Sequence, residues 1–311
     1  MTASTALGLI SGYVADALVG DPVRGHPVAA FGRAASALER ALWRHSRGAG
    51  TAYVLALVFP VTTAAAALDA ALRRRPFTRL VFVSIVTWVV LGGRSLSREA
   101  HRLADAVARG DLTEARRIAP SLMGRDPADL DGPELCRAAV ESVAENTADA
   151  VVGALLWGAV AGPAGAVAYR AANTLDAMVG HRSERHERFG WAAARLDDVL
   201  TWPAARLGAL IAVVLAPTIG GRVGEARRIL LRDGRRHPSP NAGLMEAAFA
   251  GALGVQLGGT NRYGTRVETR PRIGEGFAPD VRSVRRAVRL SEGVAAAAAG
   301  MCVLLAWRRG R

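Results

Sequence analysis

The stretch ESVAENTADAVVGALLWG, residues 141–158, runs from acids and an amide directly into apolar residues. If this stretch is helical, Glu141 and Glu145 lie one turn apart on one face, with Asp149 close to the same stripe. Like charges at that spacing repel each other and weaken an isolated helix. These acids indicate a function, because ionisable residues that adjoin a buried segment are costly and usually functional.

Apolar runs recur along the 311-residue chain, which is 50% hydrophobic and has a mean hydropathy of +0.17. Residues 51–72 and 77–93, separated by a short arginine-rich turn, approach the length of about 20 apolar residues that a membrane-spanning helix needs. Shorter apolar runs occupy residues 5–20, 207–221 and 294–307. This distribution predicts an integral membrane protein, and the alternative is a soluble, alanine-rich helical enzyme with very apolar core helices.

The apolar part of the opening helix, residues 150–172, is interrupted by GPAG at 162–165. Neither half spans a bilayer alone, so the segment is either one kinked crossing or a re-entrant hairpin buried in protein. We favour the hairpin, because the flanking residues Glu145 and Asp176 resemble two halves of one site. The predicted fold class is therefore all-α: a polytopic membrane protein with amphipathic and re-entrant helices.

A polar helical segment, residues 94–150, is predicted to be an insertion within a single membrane-embedded catalytic domain that comprises residues 1–311. In this segment Asp111, followed three residues later by Glu114, has the pattern of a helix cap with a capping box. Alternation typical of a strand is limited to residues 265–273.

The chain has a formal charge of +13, and all 40 basic residues are arginine. The absence of lysine excludes a P-loop and Schiff-base chemistry. The arginines are scattered through loops without aromatic platforms, which favours anionic lipid or anionic substrates over nucleic acid. Cys136 and Cys302 form no CxxC motif and are predicted to be small core residues.

Five short polar clusters border the apolar segments, and each alone has an ordinary explanation as a turn, a cap or a local ion pair. Together they bring six or more carboxylates next to apolar sequence with little local neutralisation. Mg²⁺ is the natural counter-charge, because it binds carboxylate oxygens and keeps water and phosphate oxygens. Such a site favours phosphoryl chemistry without a P-loop. The clusters contain Asp16, Asp21 and His26; Glu141, Glu145 and Asn146; Asn173 and Asp176; Arg195, Asp197 and Asp198; and Asp233, His237, Ser239 and Asn241.

The motifs DxxxGDP…HPV, ESVAEN, NTLD, FGW followed by ARLDD, and HPSPNAG occur in this order between Gly12 and Asn261. This pattern resembles the CobD/CbiB family of cobalamin biosynthesis, the adenosylcobinamide-phosphate synthases. The resemblance implies a multi-pass enzyme of the bacterial cytoplasmic membrane that uses ATP and Mg²⁺. It would join adenosylcobyric acid to (R)-1-amino-2-propanol, or to its O-phosphate, through an amide bond. The expected partners are the corrinoid, the amine, membrane lipid and other late enzymes of the pathway, and nucleic acid is not expected.

Within the reaction that the resemblance implies, Arg195 is expected to stabilise the transferring phosphoryl group. Asp176 and His26 are candidates to take the proton of the attacking amine. The expected metal ligands are Glu141, Glu145, Asp197 and Asp198, and the first two are also expected to act in catalysis. The expected substrate-binding residues are Asp16, Asp21, Asn146, Asn173, His237, Ser239 and Asn241.

A site at the membrane surface explains why acids adjoin an apolar segment. Burial strengthens metal and phosphate electrostatics and keeps water away from an activated acyl group. A corrinoid-binding membrane transporter is an alternative, since intramembrane acids and broken helices are also transporter features. A structural scaffold for late corrin enzymes is another, although it leaves the acids without a role.

Overall fold

The computed structural model describes residues 3–21, 25–181, 183–263 and 266–309. These residues form twelve α-helices and one antiparallel pair of strands. In chain order the elements are α1 (Ala3–Val19), α2 (Pro27–Leu42), α3 (Arg47–Ala71), α4 (Pro76–Val90), α5 (Gly93–Ala108), α6 (Leu112–Ile118), α7 (Gly132–Thr147), α8 (Gly153–Leu175), α9 (Trp191–Leu215), α10 (Val223–Asp233), α11 (Ala242–Leu253), β1 (Leu257–Tyr263), β2 (Arg266–Ile273) and α12 (Val281–Arg308).

Within the described residues, five helical stretches are long and apolar enough to cross a membrane, judged by length and composition. They are Arg47–Ala71, Pro76–Ala108, Gly132–Gly180, Trp191–Ile219 and Val281–Arg308. The prediction of an all-α, polytopic membrane protein is confirmed, with a small β-hairpin added to the helices. The sequence pattern indicated only the second strand, so β1 was missed.

The chain divides into two compact units. The first comprises Met1–Gly92, Asp149–Thr201 and Ala298–Arg311, and the second comprises Gly93–Ala148 and Trp202–Ala297. The second unit thus contains almost all of the predicted polar insertion, together with residues that come much later in the chain. That the chain acts as a single catalytic domain stays a prediction.

Small residues allow close packing in both units. A Cβ atom at Gly12 of α1 would lie 2.5 Å from the Cβ of Thr87 on α4, so a larger residue would push these two helices apart. Cys136 and Cys302 are both buried, as predicted for small core residues.

The chain reverses direction inside α8, at Gly162, whose φ of 67° and ψ of −159° are not helical. A Cβ atom at Gly165 would lie 2.5 Å from the carbonyl oxygen of Trp157, and one at Gly158 would lie 3.6 Å from the Cβ of Ala166. Residues eight apart in a straight helix are separated by about 12 Å along its axis. The two arms must therefore run back along each other, and the predicted hairpin is confirmed.

Helix caps and burial shape the second unit. The predicted Asp111 cap is confirmed, since its carboxylate accepts the Glu114 N–H at 3.0 Å. At the start of α7, Asp131 and Glu134 each accept a hydrogen bond from the other's backbone N–H.

α11 packs against α7 and α10 and is buried at every position except Leu244. A polar side chain on α11 therefore needs a partner inside the protein.

The β-hairpin also belongs to the second unit, and its pairing is irregular between Leu257 and Gly259. Gly258, at this irregularity, has a φ of 82°. A Cβ atom there would lie 2.1 Å from the carbonyl oxygen of Pro271, so only glycine fits. The resulting backbone turns the Gly258 N–H towards Glu141 on α7.

Candidate functional site

The first unit contains a group of buried and half-buried acids that we term the aspartate cluster. The charges of Asp21, Asp149 and Asp16 act on the guanidinium of Arg170, and Asp16 is only 2% exposed. The reversal inside α8 explains this meeting, because it returns Arg170 to the start of the hairpin, beside Asp149. The cluster comprises Asp16, Asp21, Asp149, Asp176 and Asp197, together with Arg170 and Asn173.

Asp197 accepts hydrogen bonds on both of its carboxylate oxygens. Its Oδ1 accepts a hydrogen bond from Nδ2 of Asn173 at 3.2 Å, and its Oδ2 accepts one from the Thr201 hydroxyl at 3.4 Å. The negative charge of Asp176 also acts on Asp197. Asn173 and Asp176, predicted to share a helix face, thus both meet Asp197. The hydrogen bonds that the structure shows to Asp197 come from neutral groups, so this region has an excess of negative charge.

Arg195 and Asp198 form a local pair at the surface. Nη1 of Arg195 donates to Oδ2 of Asp198 at 2.9 Å within one turn of α9, and the Arg195 side chain is 56% exposed. Exposed pairs of this kind contribute little. The pairing gives no support to the phosphoryl-binding role predicted for Arg195 or to the metal-binding role predicted for Asp198.

His26 caps α2, since its Nδ1 accepts the Val28 N–H at 3.1 Å. A neutral imidazole whose Nδ1 is an acceptor carries its proton on Nε2. That atom lies 3.5 Å from Oδ1 of Asp21. The cap and this contact hold the ring of His26 beside Asp21, and its role as a proton acceptor stays a prediction.

The second unit contains another charged group, which we term the glutamate–arginine cluster. In it, Oε1 of Glu141 accepts hydrogen bonds from Arg137 at 3.1 Å and from the Gly258 N–H at 2.8 Å, and Oε2 accepts one from Arg125. Glu141 therefore does not lack local neutralisation, contrary to expectation. The cluster comprises Glu141, Glu145, Glu246, Arg125, Arg137, Arg270 and His237.

Glu145 and Asn146 follow Glu141 on α7. Glu145 is half-buried, and its charge acts on Glu246. The amide nitrogen of Asn146 donates to the carbonyl oxygen of Ser142 at 2.9 Å, one turn back in the same helix. The amide of Asn146 thus stiffens α7, and its role in orienting the corrin stays a prediction.

His237 and Glu246 form a buried pair, with exposed fractions of 9% and 2%. Nε2 of His237 lies 3.7 Å from Oε1 of Glu246 and 3.2 Å from Nη1 of Arg270. Nδ1 of His237 accepts the Ser239 N–H at 3.0 Å. Nε2 of His237 thus lies between a guanidinium N–H of Arg270, which can only donate, and the carboxyl group of Glu246.

Burial shifts the pKa values of this pair in opposite directions. It lowers the pKa of His237 to about 4, and the charge of Arg270 lowers it further. It raises the pKa of Glu246 well above its ordinary value, and the charges of Glu141 and Glu145 add to that rise. Both side chains are thereby favoured in their neutral forms.

The loop before α11 places two further predicted residues. The Ser239 hydroxyl oxygen accepts the Ala242 N–H at 3.1 Å and so caps α11. Oδ1 of Asn241 accepts a hydrogen bond from Nη1 of Arg206 at 3.1 Å. The guanidinium of Arg206 stacks 4.1 Å from the centre of the Trp202 ring. The loop predicted to bind the amine phosphate therefore has an arginine beside it.

Sequence reasoning missed the arginines that complete both clusters. Arg137 could have been found, because it lies one helical turn before Glu141. The others are scattered along an arginine-rich chain, and no local pattern marks them. Glu246 was also missed, although an acid inside the apolar string GLMEAAFAGALG is a signal of function. The missed residues are Arg125, Arg137, Arg170, Arg206, Arg270 and Glu246, whereas Asp149 was noticed beside Glu141 and Glu145 but given no role.

The four predicted metal ligands are divided between the two units, with Glu141 and Glu145 in the second and Asp197 and Asp198 in the first, and their joint role stays a prediction. Among the described residues, no group of three or more His, Cys, Asp or Glu side chains is arranged to hold a metal ion. Both oxygens of Glu141 accept hydrogen bonds within the protein, and its role as a metal ligand stays a prediction. Mg²⁺ that arrives with phosphate oxygens needs only one or two carboxylates. Asp176 and Asp197 meet that smaller requirement.

A helical, polytopic membrane protein with buried clusters of acids and arginines is the class that the fold and these two sites define. The chain matches the family described as CobD/Cbib protein over residues 9–291, and it belongs to that family.

Curated relatives support this assignment over nearly the whole chain. The chain is similar to the cobalamin biosynthesis protein CobD of Mycobacterium tuberculosis strain H37Rv, with 51% identity over 306 residues that cover 98% of this chain and 96% of the relative. A protein of the same name from Geobacter metallireducens is 45% identical, with 92% of each chain covered. One from Stutzerimonas stutzeri is 44% identical, with 92% of this chain and 93% of the relative covered. No solved structure matches.

Proposed function

We propose that this protein uses ATP and Mg²⁺ to join adenosylcobyric acid to (R)-1-amino-2-propanol, or to its O-phosphate, through an amide bond. Membership of a cobalamin biosynthesis family supports the pathway. The observation that supports the reaction type most is the buried pair of His237 and Glu246 beside Arg270. An attacking amine must lose a proton, and a carboxyl group with a raised pKa is, once ionised, a stronger base than an ordinary carboxylate.

In the proposed reaction, the substrate carboxylate takes the terminal phosphoryl group of ATP to give an acyl phosphate and ADP. The amine then displaces phosphate and forms the amide. Glu246 is the proposed proton acceptor in the second step. His237, with a pKa of about 4, is too weak a base for that role at neutral pH and instead orients Glu246. This assignment replaces Asp176 and His26 as the proton acceptor.

Arg206 is the proposed contact for the phosphate of the amine substrate. Within the described residues it donates to two neutral oxygens, the Trp202 carbonyl at 2.9 Å and Oδ1 of Asn241 at 3.1 Å. Its charge therefore stays available for an anion, and a guanidinium fork matches the oxygens of a phosphate. Ser239 and Asn241 hold the adjoining loop in place.

The aspartate cluster is the proposed place for the metal ion. Asp176 and Asp197 would hold Mg²⁺ together with nucleotide phosphates, because their like charges act on each other in a largely buried region. When bound, the ion supplies neutralisation of the phosphate charge.

An amide-formation assay tests this proposal. Purified protein in detergent is incubated with adenosylcobyric acid, ATP, Mg²⁺ and either amine, and the product is identified by mass. Product that requires ATP supports the ligase, and comparison of the two amines identifies the substrate. Folded protein that binds the corrinoid but makes no amide with either amine contradicts the ligase and favours a transporter or a scaffold.

A matched pair of variants tests the assignment of Glu246. Glu246→Gln should abolish product formation, whereas Glu225→Gln should leave it unchanged. Glu225 suits the control because it lies in the same unit, on α10, with a side chain that is 45% exposed. Equal turnover by both variants would remove Glu246 from the reaction.

A further inference from the structure

The beginning of α12 borders two adjoining cavities in the second unit that share no lining residue with the glutamate–arginine cluster. The larger has a volume of about 480 Å³, and the smaller has a volume of about 360 Å³. Arg282 and Arg286 line both cavities, and Arg285 and Arg289 line the larger one. We term this region the arginine groove.

The arginine groove carries an excess of positive charge. Its four arginines recur at spacings of three and four residues, so they share one face of α12 and repel each other. Nε of Arg286 donates to the carbonyl oxygen of Ile219 at 2.9 Å, and its Nη1 donates to that of Leu253 at 3.0 Å. Over the described residues, Arg282 and Arg289 have no hydrogen-bond or ion-pair partner on their side chains.

The nearby acids are already engaged. Asp280 caps α12, because its Oδ1 accepts the backbone N–H and the hydroxyl of Ser283, both at 2.7 Å. Asp105 pairs with Arg285 at 2.8 Å at the surface. Asp280 keeps its negative charge, lines both cavities and acts on Arg282 electrostatically. Counting Asp280 and Asp105, two carboxylates face four arginines, so the groove keeps a net positive charge.

The position of the groove along α12 matches the depth of lipid head groups. A helix needs about 20 residues to cross the hydrocarbon core. If the crossing part of α12 ends at Trp307, it begins at Val288. Arg286 then lies about 3 Å beyond that boundary, at head-group depth, and Arg282 lies about 9 Å beyond it, at the outer edge of the head-group region, at 1.5 Å per residue. The head-group region extends about 5–8 Å on each side of the core. Phe277, which lines the smaller cavity and is 85% exposed, adds an apolar surface at the rim.

We propose that the arginine groove binds the phosphate group of an anionic molecule, with an anionic phospholipid head group as the source that the depth favours. Guanidinium forks bind phosphate oxygens in pairs, and basic pockets beside membrane helices bind phosphorylated head groups. This site is independent of the proposed amide ligation. Its failure or success leaves the reaction of the glutamate–arginine cluster untouched.

The experiment compares the wild-type protein with two double variants in an uncharged detergent. Arg282→Gln with Arg289→Gln removes two groove charges whose guanidinium groups make no hydrogen bond or ion pair at contact distance within the described residues. Arg73→Gln with Arg74→Gln is the matched control, because these exposed arginines lie in the turn between two candidate membrane helices and border neither cavity. Equal thermal unfolding temperatures of the three proteins establish that the variants are folded.

Each protein is mixed with equal amounts of dioleoylphosphatidylglycerol and dioleoylphosphatidylcholine, and retained lipid is counted by native mass spectrometry. Inorganic phosphate and pyrophosphate are titrated separately by calorimetry. The groove variant should bind phosphatidylglycerol at least about tenfold more weakly than wild type and control, because the loss of even one charge-assisted hydrogen bond has about that effect. Arg282→Lys with Arg289→Lys keeps the charge but loses the fork, and should fall between these values.

The wild-type protein could bind phosphate or pyrophosphate, lose that binding in the groove variant, and show no preference for phosphatidylglycerol. This result would support the phosphate site and indicate that its ligand is a soluble phosphate compound. The proposal is overturned if wild type, groove variant and control bind all of these probes equally, or if none binds.

Discussion

Arg125 donates a hydrogen bond to the buried carboxylate of Glu141, and both side chains are 5% exposed. Arg137 and the Gly258 N–H complete the surroundings of this carboxylate. A buried charge is tolerated only when its partners are in place, and removing one partner leaves the other uncompensated. This arrangement joins α7 to the loop before it and to the β-hairpin.

Arg125→Gln should therefore destabilise the protein strongly, by about 3–5 kcal/mol. Thermal or denaturant unfolding in detergent measures the change. Arg117→Gln, which breaks an exposed pair with Glu114, is the control and should have little effect. Replacing both buried partners, with Arg125→Met and Glu141→Leu, should recover part of the loss. Equal stability of the Arg125 and Arg117 variants would contradict the structural role of the buried pair.

Amide formation should fall as the pH drops through the raised pKa of Glu246, because a protonated carboxyl group cannot accept the amine proton. Burial raises this pKa above the ordinary value of 4.5. The rate of amide formation, measured against pH, should fall on the acid side in wild type. The Glu246→Gln variant should have a low rate at every pH. If the Glu246→Gln variant is active and its rate still falls at low pH, another group is responsible for the pH dependence.

The same pKa shift should make the stability of the protein depend on pH. Stability should fall as the pH rises, whereas the rate of amide formation rises. Folded Glu246 holds its proton more tightly than the unfolded chain does, so its favourable contribution is fully present below pH 4.5. That contribution is lost as the pH rises from 4.5 through the raised pKa. Glu246→Gln should therefore flatten the dependence of the unfolding temperature on pH over this range, and an unchanged slope would exclude Glu246 as its source.

Gly162→Ala should destabilise the α8 hairpin, because its φ of 67° lies in the left-handed region that costs other residues about 1–2 kcal/mol. Gly224→Ala on α10 is the control, since a Cβ there meets nothing within 4 Å and alanine favours a helix. The unfolding temperature should drop for the first variant and stay or rise for the second. The same response in both would argue against a strained reversal at Gly162.

Asp176→Asn should relieve the repulsion with Asp197 while weakening the proposed metal site. The Mg²⁺ concentration for half-maximal amide formation should rise about tenfold or more, the range found when groups around a bound metal are changed. The unfolding temperature without Mg²⁺ should stay or increase. Glu187→Gln, at an exposed position, should alter neither value. An unchanged Mg²⁺ requirement in Asp176→Asn would move the metal away from this cluster.

The hairpin could be predicted from GPAG at residues 162–165, because glycine and proline interrupt a helix wherever they occur together. Many cluster residues could also be named, since an acid beside an apolar run is conspicuous in sequence. Their partners could not. Arg125 and Arg270 reach Glu141 and His237 from distant parts of the chain, and nothing in their local sequence marks them as buried.

The sequence alone determined that this is a helical membrane protein and carried the motifs of the CobD/CbiB family, because hydropathy, run length and short motifs are local properties. The tertiary structure decided which charges meet. It paired Glu141 with two arginines, where the sequence suggested a metal ligand, and it set Glu246 against His237. The reason is physical: the state of a charge depends on burial and on distances to groups that are remote along the chain.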